Sequence, residues 1–269
     1  MSLLRIEALT RRFAGLVAVD GVTLSVERGG LHAVIGPNGA GKTTLFNLVS
    51  GLILPSAGRL WLGEHEITTL RPEQRAALGM GRTFQNIRVF GAMTALENVL
   101  TGAHTRLSAS LATVLLRTPG FRAEEKRAVE RARAALDTVG LSDKAGLRAG
   151  GLSYGDQRRL EIARAIAPEP ALLLLDEPAA GMNPAETEAL ATLIQRLRGT
   201  AMTVLLVEHD MGFVMGLCDT VTVLNFGRLI FDGPAQAAQQ DTGVIEAYLG
   251  PKVAARLAAG GMRAGIRGA

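Results

Sequence analysis

The sequence predicts an α/β fold whose core is a mainly parallel sheet covered by helices on both faces. Short, mostly apolar runs at residues 31–35, 171–175 and 203–207 alternate with helical patterns, as the buried strands of a parallel sheet do. The first run leads into residues 36–44, which match the phosphate-loop pattern G-x-x-x-x-G-K-[ST] between a strand and a helix. The 269 residues, 48% of them hydrophobic, suffice for one large domain or for a core with a smaller subdomain.

An antiparallel β portion is expected at the N-terminus. Residues 4–8 and 22–26 each alternate between apolar and polar side chains, so Ala8 is expected on the apolar face with Leu4 and Ile6. Further short strands are expected at residues 60–62 and 79–84.

A helical subdomain is predicted between two parts of the core. Residues 94–97 read T-A-L-E, a capping box that opens a helix, and residues 123–139 have the spacing of a long amphipathic helix. Ser153 is predicted to cap a helix that reaches Ala167. We therefore divide the chain into a core (1–86 and 153–250), a helical subdomain (87–152) and a basic tail (251–269).

The second part of the core continues the alternation of strands and helices. Asp176 and Glu177 directly follow the strand at 171–175, and Asn183 with Pro184 begins a helix to Arg198. The remaining elements are expected as a strand at 203–207, a helix at 211–217 and a hairpin of 221–224 with 228–231, turned at 225–227.

The phosphate loop predicts a nucleotide as the first ligand. Its glycines allow successive backbone N–H groups to curve around a polyphosphate, and the following helix directs its positive end at the anion. Lys42 is expected to reach the β- and γ-phosphates, and the Thr43 hydroxyl is expected to ligate Mg²⁺. The residues expected to contact the nucleotide phosphates are Asn38, Gly39, Ala40, Gly41, Lys42, Thr43 and Thr44.

Two consecutive carboxylates are candidates for the chemistry. Asp176 ends a buried strand at the edge of the sheet where the phosphate loop lies, so it is expected to bind Mg²⁺, commonly through water. Glu177 is the expected general base for the water that attacks the γ-phosphate. The alternative is that both are acidic caps of a following helix.

Composition excludes several other classes of protein. The net charge is +4, but the basic residues outside the tail at 251–269 are interleaved with carboxylates, and aromatic residues make up only 4%, so we expect no nucleic-acid partner. The one cysteine, Cys218, precludes an internal disulfide, and the four histidines lack metal-ligand spacing. No run approaches the roughly 20 apolar residues of a membrane helix, so we expect a cytosolic chain.

These motifs, in this order, make the chain resemble the ATP-binding cassette (ABC) ATPases, whose core has the P-loop NTPase fold. Residues 152–157, L-S-Y-G-D-Q, occupy the place of the family's signature motif before the strand that ends at Asp176. The resemblance covers residues 3–249 and implies that ATP and Mg²⁺ are bound. It also implies that Gln85 contacts Mg²⁺ and couples to a membrane domain, that His209 is the switch histidine, and that Phe13 stacks on adenine.

The signature motif implies a dimer of ATPase subunits. In the family, Ser153 and the N–H groups around Gly155, at a helix N-terminus, close onto the γ-phosphate held by the other subunit. Three positions depart from the common pattern. Tyr154 replaces a glycine, Asp156 replaces a glutamine and brings negative charge near a phosphate site, and Asn183 replaces an aspartate of the loop that crosses the dimer interface.

Further strings resemble the ATP-binding subunits of bacterial branched-chain amino-acid importers. They lie at residues 82–85, 104–107, 116–119, 179–184, 208–211 and 245–250. This resemblance implies a peripheral subunit at the cytoplasmic face of the inner membrane. Its partners would be integral membrane permease subunits, a second ATPase subunit that is either identical or a paralogue, and, indirectly, a solute-binding protein.

Other functions stay open on the sequence alone. Related urea and amide importers use similar ATPase subunits. A soluble ABC ATPase of DNA repair or translation usually adds a coiled-coil insertion or a second cassette, which this sequence lacks. A P-loop kinase or GTPase would need an acceptor lid or a guanine selector, and a non-hydrolysing nucleotide sensor is disfavoured by Glu177 and His209 together.

Overall fold

The computed structural model describes residues 1–103, 119–200 and 202–250, and the strands of these residues form two sheets. The strings at 104–107 and 116–118 and the basic tail at 251–269 lie outside the described residues. Within the described part of the chain, no helix combines the length and apolar character that crossing a bilayer requires.

The smaller sheet is the expected antiparallel β portion. Its strands lie in the order β2-β1-β4-β5. They are β1 (Ser2–Phe13), β2 (Leu16–Glu27), β4 (Ala57–Leu62) and β5 (His65–Glu66).

The prediction that Ala8 lies on the buried face is wrong. The register between β1 and β2 shifts after Ile6, Ala8 has a φ of +46°, and its side chain is exposed. Leu9 takes the inward position instead and is fully buried. A bulge of this kind reverses which face the following residues occupy, and the alternation read from the sequence does not reveal it.

The larger sheet is the predicted parallel core. Its strands lie in the order β10-β9-β3-β8-β7-β6, and all neighbours are parallel except β10 with β9. They are β3 (Leu31–Ile35), β6 (Met80–Arg82), β7 (Leu172–Asp176), β8 (Thr203–Val207), β9 (Thr220–Asn225) and β10 (Arg228–Pro234). Since parallel strands end at one edge, the segments after β3, β6, β7 and β8 meet there.

Both faces of the larger sheet are covered, as a parallel sheet requires. Along β7, Leu173 and Leu175 face one buried cluster, while Leu172 and Leu174 face the other. The helices are α1 (Lys42–Val49), α2 (Pro72–Ala77), α3 (Ala95–Ala103), α4 (Pro119–Thr138), α5 (Tyr154–Ile166), α6 (Pro184–Gly199), α7 (Met211–Leu217), α8 (Ala235–Ala238) and α9 (Thr242–Leu249).

Helix α3 begins at the predicted capping box, in which Thr94 and Glu97 exchange hydrogen bonds. Within the described residues, helix α4 extends over Pro119–Thr138, which includes all but the last residue of the predicted range 123–139, and it buries Ala128, Ala132 and Leu136. These helices lie in the range assigned to the helical subdomain and pack in the same cluster as α5. These helices therefore pack directly with the helix that begins within the signature motif.

Candidate functional site

The phosphate loop surrounds the ammonium group of Lys42. Lys42 is buried, and its Nζ donates hydrogen bonds to the carbonyl oxygens of Gly36 (2.6 Å) and Pro37 (3.1 Å). Gly41 has a φ of +101°, and a Cβ there would lie 2.4 Å from the Ala18 carbonyl oxygen, so only glycine fits. Burial lowers the pKa of Lys42, while the charge of Glu177 acts to raise it.

A cavity of about 340 Å³ lies over the loop. The charged and hydroxyl groups of its lining come from Lys42, Glu177 and Thr43. Its apolar lining residues are Leu16, Val17 and Phe226. The other lining residues are Ala18, Asn38, Gly39, Ala40, Gly41, Thr44 and Gly227. The loop residues predicted to bind phosphate, from Asn38 to Thr44, thus all line one cavity.

Asp176 is buried at the end of β7 and paired with a cation. Its Oδ2 lies 3.0 Å from Nη2 of Arg82. The same guanidinium group donates to Asn47 Oδ1 (2.8 Å) and to the Ser50 hydroxyl, at the end of α1. Burial raises the pKa of Asp176, and the Arg82 charge opposes that rise. Arg82 therefore fixes the carboxylate against the helix that follows the phosphate loop.

Glu177 turns toward the cavity instead of the interior. Its φ is +45°, an uncommon conformation for a residue with a side chain, and its Oε2 accepts a hydrogen bond from Gln85 Nε2 (2.8 Å). The predicted base and the predicted glutamine are thus brought into contact. Because Gln85 follows β6 and Glu177 follows β7, this contact joins two neighbouring strand ends.

Glu208 and His209 follow β8, the next strand of the edge. Glu208 is fully buried and accepts hydrogen bonds from the backbone N–H groups of Ala179 (2.9 Å) and His209 (3.1 Å). Burial raises the pKa of Glu208. The His209 side chain is 59% exposed, with Nδ1 3.7 Å from Glu208 Oε2, and it is not part of the cavity lining.

Phe13, predicted to stack on adenine, also lies outside the cavity lining. It ends β1, 40% of it is exposed, and the Arg11 guanidinium lies 4.5 Å from its ring centroid. Leu16 and Val17, at the start of β2, line the cavity instead. Phe226 also lines the cavity. The sequence identifies residues 225–227 only as a turn, and no local pattern indicates that this turn lies beside the phosphate loop.

The signature region lies outside this cavity. Ser153 is exposed, and its Oγ accepts a hydrogen bond from the Asp156 N–H (3.2 Å), which confirms the predicted cap of α5. A Cβ on Gly155 would lie 2.8 Å from Glu186 Oε1, so α6 packs directly against this glycine. None of these residues lines the cavity of the same chain.

The three departures from the common pattern have local partners. Burial acts to raise the pKa of Asp156, but hydrogen bonds from Lys144 (2.6 Å) and Ser153 and the Arg159 charge lower it overall. The negative charge of Asp156 is therefore balanced within the chain. The Tyr154 hydroxyl donates to the Ala180 carbonyl oxygen (3.0 Å). Asn183 caps α6 in a capping box with Glu186.

A buried ion pair on α5 holds the segment that contains Gln85. Arg158 and Glu161 are both buried and lie 3.1 Å apart. Arg158 donates to the carbonyl oxygens of Phe84 and Gln85, both at 2.8 Å, and Glu161 accepts from the Phe84 N–H (3.4 Å). The helix after the signature motif is thereby connected to the residue that contacts Glu177, a link that residue spacing in the sequence does not reveal.

The residues predicted to hold Mg²⁺ are of a suitable kind. Thr43 offers a hydroxyl, Gln85 an amide oxygen and Asp176 a carboxylate, and Mg²⁺ prefers such oxygen ligands together with water and phosphate. Across the described ranges, no group of three or more His, Cys, Asp or Glu side chains could hold a metal ion by itself. The donor set therefore fits an ion that is bound together with a polyphosphate, not alone.

Comparisons with known proteins show the family of the chain. A family model described as ABC transporter matches residues 19–180. Over 249 residues the chain is 47% identical to the high-affinity branched-chain amino acid transport ATP-binding protein BraF of Pseudomonas aeruginosa, covering 92% of the chain and 98% of that relative. With the same coverage it is 44% identical to LivG of Escherichia coli, a protein of the same description.

Solved structures confirm the predicted fold class. An ATP-binding cassette of an ABC transporter in its ADP conformation matches with a TM-score of 0.82 at 32% identity, covering 93% of this chain and 100% of that one. A nucleotide-free ATP-binding cassette matches with a TM-score of 0.81, also at 32% identity. The chain therefore belongs to the ABC transporter family, as one of its ATP-binding ATPase subunits.

Proposed function

We propose that this chain is the ATP-hydrolysing subunit that energises a bacterial importer of branched-chain amino acids. The observation that carries the proposal is a single cavity lined by Lys42, Thr43 and Glu177, with Gln85 bonded to Glu177. The cargo assignment is supported by relatives that are named as branched-chain amino acid transport ATP-binding proteins and match 98% of their own length.

The roles of the residues follow from their positions. Lys42 and the backbone N–H groups of the loop bind the β- and γ-phosphates of ATP, the substrate. Mg²⁺, when bound by Thr43, Gln85 and Asp176, supplies charge neutralisation at those phosphates. Phe13 contacts the adenine from its place beside the cavity. His209, exposed after β8, contacts the γ-phosphate once the site closes.

Hydrolysis is assigned to Glu177 as general base. Its carboxylate takes a proton from water while the water oxygen forms a bond to the γ-phosphorus. The bond from that phosphorus to the bridging oxygen breaks, and its electron pair stays with ADP. The hydrogen bond from Gln85 fixes the orientation of the Glu177 carboxylate before the substrate binds. Gln85 is therefore a positioning residue for the base.

A second ATPase subunit completes the site. Ser153, which caps α5, is exposed, and neither it nor the buried Gly155 lines the cavity of its own chain. In the assembled dimer they bind the γ-phosphate held by the partner, and the partner's signature motif covers this chain's cavity. The permease subunits contact the region near Gln85 and the helical subdomain, at the cytoplasmic face of the inner membrane.

Reconstitution tests this function. The chain is assembled in proteoliposomes with its permease subunits, its second ATPase subunit and its solute-binding protein, and phosphate release is measured with leucine, isoleucine, valine or urea. We expect the branched-chain amino acids to stimulate ATP hydrolysis and to accumulate inside the proteoliposomes. An assembly that carries Lys42→Ala is expected to show neither stimulated hydrolysis nor accumulation. Stimulation by urea alone would contradict the cargo assignment, and hydrolysis that survives Lys42→Ala would contradict the site.

A further inference from the structure

Phe226 has a backbone conformation that is unfavourable for a large side chain, and its side chain is exposed to solvent. It forms a two-residue turn with Gly227 between β9 and β10, since Asn225 pairs with Arg228. Both turn residues have positive φ, +46° and +80°, as in a type I′ turn, which favours Asn and Gly over residues with larger side chains. The phenyl ring is 84% exposed, so the chain itself gains little packing from it.

The turn is attached to the nucleotide cavity. The Gly227 N–H donates to the Ala40 carbonyl oxygen in the phosphate loop (2.9 Å), and the Asp20 N–H donates to the Gly227 carbonyl oxygen (2.8 Å). These two backbone hydrogen bonds hold Gly227 in place, so the neighbouring Phe226 stays close to the phosphate loop. Phe226 lines the cavity together with Leu16 and Val17, and it also lines a neighbouring cavity with Ile230.

The character of the cavity indicates what Phe226 contacts. Lys42 and Glu177 line the end of the cavity nearest the phosphate loop. In the proposed function, the ATP phosphates bind at this end and the attacking water is activated there. A nucleotide whose phosphates occupy the loop carries its base away from that end, and a base presents apolar π-faces. Leu16, Val17 and Phe226 offer the apolar and aromatic surface that such a face binds.

We infer that Phe226 is a nucleobase-contacting residue, which forms an aromatic wall of the ATP cavity that Phe13 does not line. The inference rests on the proposed function, because it needs ATP as the ligand. The left-handed turn is then a conformational cost that the bound nucleotide offsets. The competing occupant is the surface of a second subunit, which would cover the same exposed ring.

Substitution of Phe226 by glycine separates the conformational cost of the turn from the contact with the base. Glycine adopts positive φ without strain, so we expect Phe226→Gly to raise the apo-protein Tm by about 2 to 4 °C. Loss of base stacking is expected to weaken the Kd for Mg·ATP about tenfold. The Kd for inorganic tripolyphosphate, which has no base, is expected to stay unchanged. Isothermal titration calorimetry measures both constants.

Two further variants control the measurement. Phe226→Tyr keeps the ring and is expected to bind Mg·ATP as the wild type does. Ile230→Ala removes an exposed apolar side chain from the same hairpin that does not line this cavity, so its Kd is expected to be unchanged. Lys42→Ala is expected to lose ATP and tripolyphosphate together.

The outcomes distinguish the inference from the proposed function. An unchanged Kd for Mg·ATP in Phe226→Gly, with or without weaker subunit association, would overturn the base contact while leaving the ATP site intact. Equal weakening for ATP and tripolyphosphate would also overturn it, because the turn would then act only through the loop. A wild-type chain that binds neither ligand would overturn the proposed function itself.

Discussion

The edge of the large sheet and the start of α5 both carry functional motifs, but they treat charge differently. At the edge, Lys42 donates hydrogen bonds to carbonyl oxygens of its own loop, and Glu177 accepts one from the side-chain amide of Gln85. Both Lys42 and Glu177 line the cavity. At the start of α5, Asp156 is paired with Lys144 and Arg159, while Ser153 is exposed. These differences support the proposal that the first region binds the phosphates of its own chain's ATP, whereas the second binds a phosphate held by a partner chain.

The same contrast exists between two consecutive residues of the edge. Asp176 is buried and paired with Arg82, while Glu177 has a left-handed backbone and turns to the cavity. The positive φ of Glu177 shows that its backbone has left the extended conformation of β7, in which consecutive side chains alternate between the two faces of the sheet. This difference supports the proposal that Asp176 is a fixed charge that holds Mg²⁺ and that Glu177 accepts the proton of the attacking water.

Glu177→Gln is expected to have the largest effect on activity. Glutamine keeps the size and the hydrogen-bonding capacity of the side chain but cannot accept the proton of the attacking water. We expect the steady-state rate of ATP hydrolysis by the assembled transporter to fall about 10² to 10⁴ fold, with the Kd for ATP retained. Phosphate release and calorimetry measure the two quantities. Glu64→Gln, an exposed glutamate outside the cavity lining, is the matched control. A rate within twofold of wild type would contradict the role of Glu177.

Arg82→Met is expected to have the largest effect on stability. It leaves Asp176 as a buried carboxylate without its cation, and breaking a buried pair in this way costs about 3 to 5 kcal/mol. Thermal unfolding should show a Tm lowered by roughly 10 °C. Arg82→Lys keeps the charge but cannot reach all three acceptors, so its Tm is expected to be intermediate.

Lys144→Met is the matched variant in the other region. It also removes a cation from a buried carboxylate, but Asp156 keeps Arg159, and Lys144 is itself partly exposed. Its Tm is therefore expected to fall less than that of Arg82→Met. Equal losses in the two variants would remove the distinction between the two regions.

Glu208→Gln is expected to have a smaller effect that depends on pH. Burial raises the folded-state pKa of Glu208 above its model-compound value of 4.5, so the folded protein holds this proton where the unfolded chain has released it. The resulting stability is complete below pH 4.5 and is lost as the pH rises through the folded-state pKa. Glutamine does not titrate. The Tm of the variant minus that of the wild type should become more positive with rising pH, and a constant difference would contradict the assignment.

The sequence predicts those parts of the fold that depend on neighbouring residues. The strand at 203–207 and the helix at 211–217 match β8 and α7 in every residue, because period and capping are local signals. The bulge at Ala8 and the short helix α2 were not foreseen, since neither disturbs the local pattern strongly.

The candidate site divides in the same way. Residues of continuous motifs, such as the phosphate loop, were identified by spacing, and the structure places them around one cavity. Arg82 and Arg158 were missed as site residues because their partners lie far away along the chain, at Asp176 and at the Gln85 carbonyl oxygen. Contacts of that kind depend on strand order, which no local pattern contains.

We propose that the ATP site is divided between two chains, and Ser153→Asp tests this division most directly. Aspartate caps a helix as well as serine does, so α5 is expected to stay folded, but its charge would repel the γ-phosphate held by a partner. We predict an unchanged Kd for ATP in the isolated chain and a loss of most ATP hydrolysis in the assembled transporter. A Kd weakened tenfold in the isolated chain, or full hydrolysis in the assembly, would contradict the account.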